Sequence, residues 1–354
     1  MNRPRRKTPL RLGAVLLAAA LGLAACGSDS DTESGGGSSG GDPAAGKVAV
    51  AYDLGGRGDG GFNDLAYAGA EAAAETIGAE LVESSARAED TDADRTARLT
   101  LMAESGANPV IAVGFLYAPS VAEVAEAFPD TWFAIVDDNT VEADNVASLM
   151  FAAEEGSFLV GAAAALETES GSVGFIGGVN TPLIKEFEAG FTAGALAADP
   201  EIDVQAAYLT QPPDFNGFND PQRGNESAQG MFDSGVDIIF AAAGGSGIGV
   251  FEAADGAGLR AIGVDNDQYE STEPPLNEVI LTSMLKRVDV GVQTFIESVA
   301  DGTVESGTAL FDLASDGVGY STSGSFLSPE TIEAIDAFAE QIIAGEIEVP
   351  TTVE

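Results

Sequence analysis

From Lys47 onward, short apolar runs alternate with stretches of helical periodicity, and the rhythm holds along nearly the whole chain. Apolar runs of that length, each followed by an amphipathic segment, are the mark of repeated βα units. The spacing predicts strands over 47–52, 79–84, 109–113 and 132–136, with helices over 65–77, 93–104 and 121–128. A second series opens after Glu155 with an Ala-rich helix to Leu166. It continues as strands over 172–176, 204–209, 236–241 and 259–264, with helices over 182–196, 221–233 and 247–257. Nearly continuous apolar strands need cover on both faces, so each series predicts a mainly parallel sheet. A chain of 354 residues exceeds one comfortable core. The fold class is therefore α/β, with two doubly wound, Rossmann-like lobes. The N-terminal lobe is expected over 47–152 with part of 270–310, and the C-terminal lobe over 153–269 with part of 311–354. Residues 276–300 read as a strand and a helix that cross back to the first lobe, and 321–343 as a return to the second. Three such crossovers would make a hinge.

Ahead of this body, Arg3, Arg5, Arg6, Lys7 and Arg11 form a positive segment before an apolar run, Leu12 to Leu23, too short to span a bilayer comfortably. The run closes on Leu23-Ala24-Ala25-Cys26, which holds the only cysteine of the chain and resembles a bacterial lipobox. Residues 1–25 are expected to be a lipoprotein signal peptide, with Cys26 as the lipid-bearing first residue of the mature protein. Residues 26–46, rich in Gly, Ser and Asp, read as a flexible tether with a reach on the order of 25 Å. The expected location is the cell membrane, anchored by lipid alone and facing the extracytoplasmic side.

Charge and composition exclude several functions. Removing residues 1–25 takes away five basic and no acidic side chains, moving the formal charge from −42 to about −47. Nucleic-acid binding by charge needs clustered Lys and Arg, so no nucleic-acid partner is expected. The acidity reads as a solubility or salt adaptation of the surface, or as the mark of a cationic partner. The chain has no histidine, which removes Ser-His-Asp and Cys-His nucleophile arrangements and histidine-containing metal sites. No cofactor is implied.

In open parallel sheets ligands sit outside the carboxyl ends of the strands. Asp53 follows the first predicted strand and opens the loop Gly55-Gly56-Arg57-Gly58-Asp59-Gly60-Gly61-Phe62-Asn63-Asp64. Gly114 follows Val113, Asp137 follows Val136, Phe218 lies beyond Leu209, Gly244 follows Ala243 and Asp265 follows Val264. Aromatic faces cover a flat ring, carboxylates accept from vicinal hydroxyls, and glycine lets a ligand approach the main chain. A nucleoside would use all three. Each residue also has a plainer reading: a turn for the glycines, interior packing for Phe62 and Phe218, a helix cap or solvated loop for the aspartates. Lys286 is open to two readings, a surface lysine at a helix start or a bridge between a ribose hydroxyl and a carboxylate. Phosphate sites fit poorly, since Gly244 to Gly249 lacks the GxGxxG spacing and the first loop lacks a Gly-Lys-Ser/Thr ending.

The stretches Phe62-Asn63-Asp64, Ile135-Val136-Asp137, Glu154 to Gly161, Phe187 to Phe191, Phe218-Asn219-Asp220-Pro221, Ala243 to Val250 and Ile262 to Gln268 strongly resemble the basic membrane protein family. The resemblance runs from about residue 47 to 300. It implies a type I periplasmic-binding fold and a lipid-anchored substrate-binding protein of an ABC importer, commonly for purine nucleosides, with an ABC permease as partner and no chemistry performed. By the resemblance, Phe62 and Phe218 sandwich the base, and Asn63 with Asp53 hydrogen-bonds its edge. Asp137, Asp265 and Lys286 hold the ribose, and Gly244 offers backbone. The chain departs from the family at Gly60-Gly61 and Gly217, where polar side chains are common.

A second function on the same fold is a ligand-sensing signalling lipoprotein. A nucleoside hydrolase would need an Asp cluster after the first strand that the chain lacks, and a DNA-binding regulator would need a helix-turn-helix where the signal peptide stands.

Overall fold

The computed structural model describes residues 46–353. Cys26, the expected signal peptide and all of the expected tether except Gly46 lie outside the described residues.

The first sheet grows from Lys47–Tyr52 (β1), whose residues Val48 to Tyr52 are buried on both faces. Phe62–Ile77 (α1) and Glu80–Ser85 (β2) follow, then Asp92–Glu104 (α2), Ala107–Val113 (β3), Ala118–Ala127 (α3), Phe133–Val136 (β4) and Val146–Phe151 (β5). The chain then crosses to a second body through Ala153–Glu167 (α4). There it forms Ser172–Val179 (β6), Pro182–Ala198 (α5), Asp203–Thr210 (β7), Pro221–Asp233 (α6), Ile238–Ala242 (β8), Gly247–Ala257 (α7), Arg260–Asp265 (β9), the short turn Gln268–Ser271 (α8) and Ile280–Lys286 (β10). Val288–Asp301 (α9) and Gly307–Phe311 (β11) return to the first lobe, and Val318–Tyr320 (β12) and Pro329–Ile343 (α10) end the chain on the second.

The two sheets have matching strand orders, β11-β5-β4-β3-β1-β2 and β12-β10-β9-β8-β6-β7. All pairings are parallel except β10 with β12. In each sheet the chain runs outward from a first strand, then reverses past it, so the strand order switches between β1 and β3 and between β6 and β8. That crevice is where open α/β sheets take ligands.

The predicted rhythm corresponds to the structure except in three places. Strand β5 was not expected, because no helix separates it from β4; nine loop residues make that crossover. Strands β11 and β12 were also not expected, since one is largely exposed and the other is three residues long. The segment over 276–300 divides differently from the expectation: its strand, β10, stays in the second sheet and only its helix, α9, crosses to pack on α1.

Three connections therefore join the lobes among the described residues, at Ala152, at Arg287 and over Asp312–Gly317. They are bonded to one another. The Ala152 N–H donates to Phe311 O at 2.9 Å, Arg287 N–H to Gly317 O at 2.9 Å, and Leu313 N–H to the Glu155 carboxylate at 2.9 Å. No helix among the described residues is long and apolar enough to cross a membrane.

Candidate ligand-binding cleft

At the end of β1 the chain enters a loop in which Gly55, Gly56, Gly58 and Gly60 all adopt positive φ, a region closed to most side chains. Two carboxylates give that loop its shape. Asp59 accepts from the N–H groups of Gly61, Asn63 and Asp64, and Asp64 accepts from those of Gly58 and Gly60. The result delivers Phe62 as the first residue of α1, facing the second lobe.

The equivalent strands of the two sheets end alike. Asp137 after β4 and Asp265 at the end of β9 both stand at left-handed φ, 63° and 65°. Such a conformation costs about 1 kcal/mol or more in a residue with a Cβ, and it turns both carboxylates out of the sheets into the cleft. Gly114 after β3 and Gly244 after β8 are also at positive φ. A Cβ at Gly114 would stand 2.5 Å from Asp53 Oδ2, so this glycine makes room for the carboxylate. Gly178 does the same for an aromatic ring: its Cβ would lie 2.5 Å from Phe218. Gly217 is closed to a side chain here, because a Cβ would stand 2.0 Å from Gly178 O.

All nine candidate residues, Asp53, Phe62, Asn63, Gly114, Asp137, Phe218, Gly244, Asp265 and Lys286, line one cavity between the lobes. Counted out to its open mouth, the non-protein space there is about 630 Å³. Phe62 enters from the first lobe and Phe218 from the second. The lobes also touch directly. Phe115 packs edge-on against Phe215 with ring centroids 6.0 Å apart, and Ser271 Oγ donates to Gly60 O at 3.1 Å.

Lys286 is no surface lysine. It is 2% exposed, ion-paired across the cleft with Asp137, and its ammonium lies over the rings of Phe62, Phe151 and Phe187 at 4.8, 5.4 and 5.6 Å. Aromatic faces offer a desolvated cation some compensation for lost water. Asp265 has no such partner to itself. Burial pushes its carboxyl up to about 7, with Lys286 opposing and Asp137 and Asp59 adding to the rise. Burial likewise raises Asp53, to about 6, and Glu186 behind the cavity, to about 7. The cleft thus carries more carboxyl groups than it has cations to neutralise them, an environment hostile to phosphate and suited to a neutral ligand rich in hydroxyl donors.

Asn63 differs from expectation. Its oxygen accepts from Asp53 N–H at 2.9 Å and its amide donates to Asp59 at 2.9 Å, so it fixes the loop and keeps a single N–H to spare. Asp59, Leu183, Ile184 and Phe187 also line the cavity and were not expected there. The last three lie in the first turns of α5, beyond the strand-end positions. The helix start Thr181-Pro182 after an apolar run is the signal that could have pointed to them.

A family model described as ABC transporter substrate-binding protein PnrA-like matches residues 46–353. The chain belongs to this family. Among PnrA-like relatives, the CD4+ T-cell-stimulating antigen of Listeria innocua is 34% identical over 359 residues, covering 95% of this chain and 96% of that protein. The ABC transporter nucleoside-binding protein BmpA of Lactococcus lactis is 29% identical over 364 residues, 98% of this chain and 99% of that one. The crystal structure of an ABC transporter solute-binding protein from Aeropyrum pernix matches with a TM-score of 0.76 and 27% identity, over 87% of this chain and 94% of that one. PnrA-like chains are substrate-binding components of ABC transporters and not enzymes, so a small-molecule ligand and a permease partner follow from membership. The two-lobed fold is that of type I periplasmic binding proteins.

Proposed function

We propose that this protein is a lipid-anchored receptor that closes its lobes over a nucleoside, with purine nucleosides preferred, and presents the closed form to an ABC permease. The observation that carries the reading is the pairing, in one cleft, of Phe62 and Phe218 from opposite lobes with the Asp137, Asp265 and Lys286 cluster near the hinge. A base fills the space between the rings, each stacking face contributing about 1–3 kcal/mol by analogy with single-strand binders. The ribose hydroxyls then donate to Asp137 and Asp265 and accept from Lys286, contacts that assemble only when the lobes meet. The nucleoside named for the Lactococcus lactis relative supports the ligand class. The Leu23-Ala24-Ala25-Cys26 junction supports the anchor, which would hold the receptor near its transporter.

Thermal shift of the full chain tests the reading. A ligand that binds only the folded state raises Tm by mass action, so guanosine, inosine or adenosine should shift it most, free bases and ribose least. Phe62→Ala should abolish the shift. Stabilisation by sugars without any by nucleosides would leave a transport receptor but refute the ligand.

A further inference from the structure

Two buried atoms near the cleft have no hydrogen-bond partner among the described residues, and they carry opposite charge: Asp53 Oδ1 and Arg95 Nε. Arg95, in the first turn of α2, is 6% exposed. Its ion-pair contact among the described residues is a long one, 3.4 Å from Nη1 to Asp92 Oδ1, and the Asp92 side chain is 70% exposed. A guanidinium stays charged in a protein, so burying one with an idle donor is costly unless its charge acts on something nearby. Leu54 borders both the main cleft and the neighbouring inter-lobe pocket that Arg95 lines, and Asp53 is the residue before it.

The groups that bear on Asp53 come from each element around it. Burial raises its carboxyl to about 6; the Leu54 N–H and Arg95 of α2 pull the other way, while Asp137 beyond β4 and Asp59 of the Gly-rich loop add to the rise. Tyr117, just before α3, is also within range of both Asp53 and Arg95. Arg95 is the one cation in this set.

We infer that Arg95 is a specificity-determining positioning residue: its guanidinium keeps Asp53 an ionised acceptor, so this end of the cleft selects ligands that present an N–H donor over those that present only acceptors. The inference rests on the nucleoside reading above. Inosine has a ring N–H where unsubstituted purine riboside has a bare acceptor nitrogen. A protonated Asp53 would offer a donor and favour the second ligand.

The test uses the full chain with carboxyl-carbon labelling of aspartate. The Asp53 signal, assigned by its loss in Asp53→Asn, is titrated by NMR without ligand. In Arg95→Met the midpoint should rise by about one pH unit or more, while Arg95→Lys, which keeps the charge, stays close to wild type. Arg95→Gln serves as a second uncharged variant should the first fail to fold. At pH 6.5 the affinity ratio of inosine to purine riboside should fall about threefold or more in the uncharged variants and recover in Arg95→Lys. A midpoint that stays put in both uncharged variants overturns the inference. A midpoint that moves with no change in the ratio overturns the specificity assignment. If the midpoint moves and neither nucleoside binds, the ligand reading has failed while the action of Arg95 on Asp53 stands.

Discussion

Asp265 sits buried at the end of β9, while the nearby ammonium of Lys286 is ion-paired with Asp137. An unfolded aspartate releases its proton near pH 4, whereas burial holds this one up to about 7. Between those values the folded chain binds a proton that the unfolded chain has released, so this group's contribution to stability falls as pH rises and has been lost above pH 7. Asp265→Asn removes the ionisation. In urea unfolding without ligand the variant should exceed wild type by about 2–4 kcal/mol at pH 8 and match it near pH 4. Parallel stability curves across that range would mean that the carboxylate is not destabilised by its site. The same substitution should cost ligand affinity, because the charge that burdens the empty fold is the acceptor that the proposed ribose contact requires.

Helices α4 and α5 pack backbone to backbone, and three glycines permit it. A Cβ on Gly161 would stand 2.1 Å from Phe191 O, on Gly190 2.1 Å from Glu154 O, and on Gly194 1.9 Å from Phe158 O. In the interior of a helix alanine is favoured over glycine by roughly 1 kcal/mol, so propensity and packing oppose one another here. Gly194→Ala should lose about 2–4 kcal/mol by forcing the helices apart. Gly230→Ala, in α6 with nothing near its added Cβ, should gain up to about 1 kcal/mol. Chemical unfolding of the pair checks both signs, and a stable Gly194→Ala would show that the interface can yield. At this scale the sequence was most informative where an element obeys one period. The apolar runs of β1, β3, β6 and β9 announce buried parallel strands, and Asp53, Gly114 and Asp265 at the ends of β1, β3 and β9 line the cleft. Strand β11 carries no such run, because most of it is exposed. The pairing of Lys286 with Asp137 is likewise invisible locally, since the two residues lie 149 apart in the chain and meet only when the lobes are brought together. Glycine and asparagine were legible as loop formers, but not the packing that makes Gly178 a berth for Phe218 or spends the Asn63 amide on Asp59.

Both lobes are strongly acidic: residues 47–151 carry 19 acidic against 5 basic side chains, and residues 153–286 carry 21 against 4. Closing the cleft therefore brings together two bodies of like charge, which repel. The repulsion is long-ranged at low salt, where the Debye length is about 30 Å at 0.01 M, and short-ranged at 1 M, where it is about 3 Å. A neutral ligand has no net charge to be screened from the cavity, so the salt dependence of its binding reports chiefly on lobe closure. Nucleoside affinity, measured by calorimetry on the full chain, should rise about three- to tenfold between 0.01 and 0.5 M NaCl, and Tm without ligand should rise as well, because self-repulsion also weakens the compact state. Sucrose at matched osmolality should not reproduce the gain in affinity. A decline with salt would mean that a Coulomb attraction dominates binding, as it would for a cationic ligand drawn to the carboxylates, and would count against a neutral guest. An affinity indifferent to salt would place the facing surfaces too far apart to repel, and closure would then be governed by the cleft itself: Phe62, Phe218 and the Lys286–Asp137 pair.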